Sequence, residues 1–71
     1  MIKVRVPELL EKHDLNISDL MRKADIAYAT AHKLAKGHGK GISFEVLDTL
    51  CALFDVGVSE ILEYIPDEEN N

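Results

Sequence analysis

A connection of only three residues, Asp25–Ala27, separates two short helical stretches, and this spacing restricts the fold more than any other feature of the sequence. Asn16 is a favourable N-cap for a helix over residues 17–24. The second stretch predicts a helix over residues 28–36 that ends at Gly37, a residue that commonly terminates helices. Two short helices joined by so few residues have to pack closely against each other.

Helical periodicity continues on both sides of this pair. Pro7 suits a first helical turn and predicts a helix over residues 7–13. Ser43 is a favourable N-cap for a fourth helix. The apolar residues of that helix recur at helical spacing on one face: Val46, Leu47, Leu50, Cys51 and Phe54.

The last part of the sequence predicts a shorter fifth helix that begins near Gly57 and ends at Pro66. Its apolar residues are Val58, Ile61, Leu62 and Ile65. Residues 2–6 are the only segment with strand-like alternation, and their pairing partner is either residues 64–65 or another subunit. The prediction is therefore an all-α, compact five-helix domain over residues 1–66 with a short N-terminal strand, followed by an acidic tail at residues 67–71.

Several classes of protein are excluded by length and composition. The chain has 71 residues, enough for one domain, and 46% of them are hydrophobic, which is typical of a folded protein. Its single cysteine cannot form an internal disulfide, and its three histidines lack the spacing of a metal site. The apolar runs are far shorter than the roughly 20 residues that span a bilayer. We expect a cytoplasmic, non-enzymatic protein with no cofactor, no metal and no membrane contact.

Charge is distributed unevenly along the chain. All eight Lys and Arg residues lie between Lys3 and Lys40, together with five acidic residues. From Ser43 onward there are eight acidic residues and no Lys or Arg. The net charge of −5 therefore combines a basic first part of the chain with a strongly acidic second part. This distribution predicts a domain with one side that faces a polyanion and an acidic side that faces away from it.

The helix over residues 28–36 has two different faces when it is drawn at 100° per residue. The inner face is apolar and small, with Thr30 at its edge: Ala27, Ala31, Leu34 and Ala35. The outer face carries hydrogen-bonding groups, a methyl group and cations, and no acid: Tyr28, Ala29, His32, Lys33 and Lys36. These groups fit the base-edge acceptors, thymine methyls and phosphates around a major groove.

The pattern that contains this helix is LNISDLMRKADIAYATAHKLAKG, followed by GISFEVLDTLCALFDVGVSEILEY. It resembles the lambda-repressor/Cro-like (XRE-type) helix-turn-helix domains over roughly residues 6–69. The resemblance implies a small prokaryotic or phage-type transcriptional repressor that binds double-stranded DNA with the helix over residues 28–36 in the major groove. It implies base contacts from Tyr28, Ala29, Thr30 and Lys33. It implies phosphate contacts from Arg22, Lys23, Ala27, Lys36 and Lys40.

Two of the departures from the family pattern affect the expected contact with DNA. Family members often have Gln at the start of the second helix, where this chain has Ile17, which cannot hold a phosphate. They favour Ser or Thr at the cap of the third helix, where this chain has Ala27. Together with the negative net charge, these departures favour an alternative: a protein-interaction or antitoxin-like module that keeps the fold, has weakened DNA contact and binds an unidentified protein.

The geometry of DNA recognition leads us to expect that two copies of the chain bind together. One recognition helix reads only a few base pairs, so specific binding generally needs two half-sites about 34 Å apart. The predicted fifth helix is heavily apolar for a terminal element, which makes four of its residues candidates for a homodimer interface: Ile61, Leu62, Tyr64 and Ile65. The same residues could instead close the core of the monomer. Phe44 and Phe54 are predicted to be core or dimer contacts.

Overall fold

A computed structural model describes residues 1–38 and 41–66 of the chain. The elements in order are β1 (Ile2–Val4), α1 (Val6–Lys12), α2 (Ile17–Ala24), α3 (Tyr28–Ala35), α4 (Phe44–Phe54), a 3₁₀ turn (Val58–Glu60) and β2 (Leu62–Tyr64). The four predicted α-helices from α1 to α4 are confirmed. Lys40 and the acidic tail at residues 67–71 lie outside the described residues.

The first helix begins slightly earlier than the sequence predicts. Pro7 lies in its first turn as expected, but the helix includes Val6, which is fully buried and does not belong to β1. Arg5 connects the two elements, and its guanidinium forms ion pairs with Glu8 at 3.1 Å and Glu63 at 2.7 Å. These contacts tie the start of α1 to the last strand.

A reciprocal pair of hydrogen bonds fixes the start of α2. The Asp19 N–H donates to Asn16 Oδ1 at 2.8 Å, and the Asn16 N–H donates to Asp19 Oδ2 at 3.1 Å. This capping box satisfies two N–H groups that would otherwise lack partners at the helix N-terminus. The prediction of Asn16 as the N-cap is confirmed.

The tight turn between α2 and α3 depends on one residue with left-handed backbone. Asp25 has φ 54° and ψ 51°, and the following Ile26 N–H donates back to the Met21 carbonyl at 3.1 Å. Ile26 packs against the hydrophobic core while the chain reverses. An aspartate tolerates this backbone better than most residues, and a positive φ recurs at Asp55, which ends α4, and at Asp14, which follows the C-cap of α1.

The prediction of a fifth helix is wrong. Residues 58–60 form only a 3₁₀ turn, and β2 follows where the helix was expected to continue. β2 pairs antiparallel with β1 in the register Ile2↔Tyr64, Lys3↔Glu63 and Val4↔Leu62. The N-terminal strand needs a partner for its backbone groups, and this pairing supplies one within the same chain.

Among the residues that the structure describes, eleven hydrophobic side chains form one core beneath these elements. The largest of those that are fully buried come from four separate segments: Val6, Leu20, Leu50 and Ile61. The expected burial of Phe54 is confirmed. Phe44 is 87% exposed and therefore is not a core residue. Cys51 is half-buried at the edge of the core.

Candidate nucleic-acid interface

The inner face of α3 holds this helix against the core. Ala31 and Leu34 are buried, and Ala35 is half-buried and packed against the same cluster. The small side chains of Ala31 and Ala35 allow α3 to approach its neighbours closely, so that α2, α3 and their short turn pack as one unit. The predicted inner face is confirmed at these three residues. Thr30 and Ala27, in contrast, are exposed.

The outer face of α3 is open to solvent along the whole helix. All five residues that the sequence places there are exposed: Tyr28, Ala29, His32, Lys33 and Lys36. No acidic residue lies in the first turn of α3, and the sequence has none from Ile26 to His38. The surface therefore presents hydroxyl, methyl, imidazole and ammonium groups without a carboxylate among them on the helix itself.

Two aromatic rings contact each other on this face. The centroids of Tyr28 and His32 lie 6.1 Å apart with an interplanar angle of 37°, as expected for residues one turn apart. Tyr28 is the first residue of α3 and is 53% exposed. The ring pair makes the N-terminal half of the outer face aromatic and leaves the C-terminal half to the lysines.

The Lys and Arg side chains of α2 and α3 differ in whether they form ion pairs with acidic residues. Within residues 1–38 and 41–66, Lys23, Lys33 and Lys36 form no ion pair. Arg22 does form one, with its Nη2 atom 2.6 Å from Asp19 Oδ1. Asp19 is also part of the capping box of α2, so this carboxylate holds Arg22 close to its own helix. The sequence did not predict this pairing, although the spacing of three residues is its usual signal.

The structure thus contains two short helices joined by a tight turn, and the second helix has a basic exposed face. A comparison of the sequence with models of known protein families agrees with these features. Residues 5–67 match the sequence model of the Cro/C1-type HTH DNA-binding domain. The chain belongs to this family. Comparison with curated proteins found no significant match.

Membership of the Cro/C1-type family assigns α2 and α3 as the helix-turn-helix and makes the protein a DNA-binding regulator in general terms. Domains of this kind are typically not enzymes. Among the residues that the structure describes, no group of three or more His, Cys, Asp or Glu side chains is arranged to hold a metal ion. No helix in these described parts of the chain is long and apolar enough to cross a membrane.

Ile17 and Ala27, the two departures from the pattern of Cro/C1-type domains, have different structural outcomes. Ile17 begins α2 and is half-buried against the hydrophobic core, so its side chain contributes to packing. Ala27 is the N-cap of α3 and provides no side-chain hydrogen bond to that helix. The first turn of α3 in this Cro/C1-type domain is consequently less firmly held than that of α2.

Ser43, the N-cap of α4, makes the side-chain hydrogen bond that is missing at Ala27. Both residues are N-caps with nearly the same backbone, φ −63° and ψ 149° at Ala27 and φ −71° and ψ 154° at Ser43. The Ser43 Oγ atom accepts a hydrogen bond from the Val46 N–H at 3.1 Å. A serine at position 27 would therefore place its hydroxyl within reach of the Thr30 N–H without a change of backbone.

We expect Ala27→Ser to stabilise the Cro/C1-type domain by about 1 kcal/mol, because it satisfies one N–H group at the start of α3. Urea denaturation followed by circular dichroism measures the change. Ser43→Ala is the matched control and should lose a similar amount. A measurable loss in Ser43→Ala with no gain in Ala27→Ser would contradict the prediction.

The structure changes the set of candidate interface residues. Ile61 has no exposed surface and belongs to the core, which corrects its place in the predicted dimer interface. Leu62 and Ile65 are half-buried, and Tyr64 is 67% exposed. Ile2, opposite Tyr64 in the sheet, is 60% exposed and was missed. Paired residues of neighbouring strands lie on the same face of a sheet, so the Ile2 and Tyr64 side chains share one face. The prediction of a helix at Tyr64 did not allow for this pairing.

Proposed function

We propose that this protein is a sequence-specific transcriptional repressor that inserts α3 into the major groove of double-stranded DNA. The observation that carries the proposal is the acid-free, exposed outer face of α3, whose two lysines form no ion pair within the described residues. An acid on this face would repel the phosphates that border the groove. The inner face fixes α3 to α2, so the outer side chains are presented by a rigid support.

The proposed base contacts use four different chemical groups. Lys33 donates to the acceptors of a guanine edge, and the Ala29 methyl group contacts a thymine methyl. The hydroxyl groups of Tyr28 and Thr30 can donate or accept at either kind of base pair. All four side chains are exposed, as base reading requires.

The proposed phosphate contacts surround these residues. Lys36 and Lys23 are exposed cations at the ends of α3 and α2, and Ala27 contributes backbone at the positive end of α3. Arg22 is the weaker candidate, because its guanidinium already pairs with the Asp19 carboxylate. To bind a phosphate it would have to break that ion pair or contact both groups at once. Lys40 stays a sequence prediction.

We further propose that two copies bind together. Tyr64 is the exposed residue of the predicted interface, and Ile2, its partner in the sheet, extends it to an exposed apolar patch. A two-fold dimer presents two copies of α3 to successive turns of the major groove, about 34 Å apart. Binding of such a dimer at a promoter would exclude the transcription machinery.

The test is selection of preferred duplexes from a randomised pool, followed by fluorescence anisotropy at two salt concentrations. We expect the selected duplexes to contain two inverted half-sites, each read by one α3. Binding should weaken with salt at a log–log slope of about −0.9 for each phosphate contact. A pool that enriches no sequence would contradict the proposed function, and a single isolated half-site would contradict the dimer.

A protein-interaction or antitoxin-like module remains the second candidate, and the structure contains one feature that favours it. Phe44 is 87% exposed at the start of α4, next to two exposed acids that form no ion pair within the described residues: Glu45 and Asp48. Such a surface fits a basic protein partner better than DNA. Salt separates the two candidates, because an interface with an apolar component weakens less steeply.

A further inference from the structure

We propose that His32 is a positioning residue for DNA reading, which holds the ring of Tyr28 in the orientation in which it meets a base edge. The inference rests on the proposed function, since it concerns how the outer face of α3 discriminates between sequences. It assigns a role to a side chain that the sequence places on the outer face of α3 without a predicted base or phosphate contact. The observation that carries it is the contact between the two rings.

The geometry joins the two side chains into one unit. Their centroids lie 6.1 Å apart at an interplanar angle of 37°, within the range of an attractive aromatic contact. Both residues are exposed on the same face of α3. In the part of the chain that the structure describes, neither the Tyr28 hydroxyl nor the His32 ring nitrogens make a hydrogen bond. Their polar atoms are therefore available to a ligand while their rings restrain each other.

Tyr28 needs this restraint more than other residues of α3. It is the first residue of the helix, and Ala27 before it provides no side-chain cap. The structure shows one ring contact to Tyr28 among the described residues, and that contact comes from His32. An exposed side chain that is free to rotate loses that freedom when it binds, which weakens the complex. A ring already held by its neighbour loses less.

The experiment is a double-mutant cycle in DNA binding. The proteins are the wild type, His32→Ala, Tyr28→Ala, the double variant and His32→Phe, which keeps an aromatic ring but no ring nitrogen. Each is titrated against the selected duplex and a scrambled duplex of the same length. Urea denaturation and the ring-proton shifts of Tyr28 are measured on the free proteins.

We expect His32→Ala to weaken binding to the selected duplex by about two- to tenfold, as one aromatic contact allows. Binding to the scrambled duplex should not change, because a positioning role does not affect phosphate contacts. His32→Phe should restore specific binding. In the Tyr28→Ala background, His32→Ala should have no further effect. The Tyr28 ring-proton shifts should move in His32→Ala and return in His32→Phe, with no change in the urea midpoint.

Three results would overturn the inference and leave the proposed function intact: specific binding of His32→Ala equal to the wild type, equal weakening on both duplexes, or the same loss without Tyr28. A selection that enriches no duplex would overturn the proposed function and this inference together. The wild-type titration distinguishes these two kinds of failure.

Discussion

Lys33→Ala is expected to weaken binding to the selected duplex by about 5- to 150-fold, which corresponds to about 1–3 kcal/mol for a lost guanine contact. Lys33 is exposed on the outer face of α3 and has no ion-pair partner among the described residues. Its removal therefore breaks no contact within the protein that the structure shows. The loss should be concentrated at one position of the half-site, where the variant accepts other base pairs.

Lys12→Ala is the matched control. Lys12 is an exposed lysine in the last turn of α1, outside the helix-turn-helix, so its loss changes the net charge by the same amount. We expect a small and sequence-independent effect on binding. Equal losses in the two variants would show that Lys33 acts through net charge alone and would contradict its role in base reading.

Leu20→Ala is expected to lower the free energy of unfolding by about 3–5 kcal/mol, because it leaves a cavity at a fully buried site. Leu20 lies on α2 with no exposed surface, in the core beneath the helix-turn-helix. A domain of this size is stable by only about 4–11 kcal/mol. The variant should therefore lose much of its folded population near 37 °C and its DNA binding with it.

Two variants of α2 serve as controls for this prediction. Leu20→Met keeps most of the volume and should cost less than about 1.5 kcal/mol. Lys23→Ala changes an exposed residue of the same helix and should stay within about 0.5 kcal/mol. Urea denaturation measures all three. A Leu20→Ala loss no larger than that of Leu20→Met would contradict the packing described for α2.

The helices were predictable because residues close to their ends in the sequence determine where they begin and end. Asn16 and Ser43 cap α2 and α4 as expected, and Asp25 adopts the left-handed backbone that its position requires. Each of these signals depends on hydrogen bonds within a few residues of the chain. The two faces of α3 were predictable for the same reason, since helical periodicity alone separates Leu34 from Lys33.

The end of the chain was not predictable in the same way. Ile61, Leu62 and Ile65 have a spacing that fits a helix, and no local signal outweighs it. Their conformation is decided by β1, which lies about sixty residues away in the sequence and needs a hydrogen-bonding partner. Long-range pairing of this kind overrides local propensity. Ile61, immediately before β2, is buried in the core, and its carbonyl accepts a hydrogen bond from the Arg5 N–H at 2.7 Å.

The candidate site was predicted in its residues but not in its internal contacts. The exposure of the outer face follows from periodicity, whereas the Arg22–Asp19 ion pair and the Tyr28–His32 ring contact depend on side-chain conformations. These contacts change the expected roles. They make Arg22 a weaker candidate for a phosphate contact, and they are the basis of the role proposed for His32.

Chemical-shift mapping measures whether the outer face of α3 is the DNA-binding surface, as we propose. The ¹⁵N-labelled protein is titrated with the selected duplex, and the shift of every backbone amide is followed. The largest changes should occur at residues 28–33 and at Lys36, with little change at Asp48 and Ala52 on the exposed side of α4. Changes centred on Phe44 and Asp48, with α3 unaffected, would contradict the claim and favour a protein-binding module.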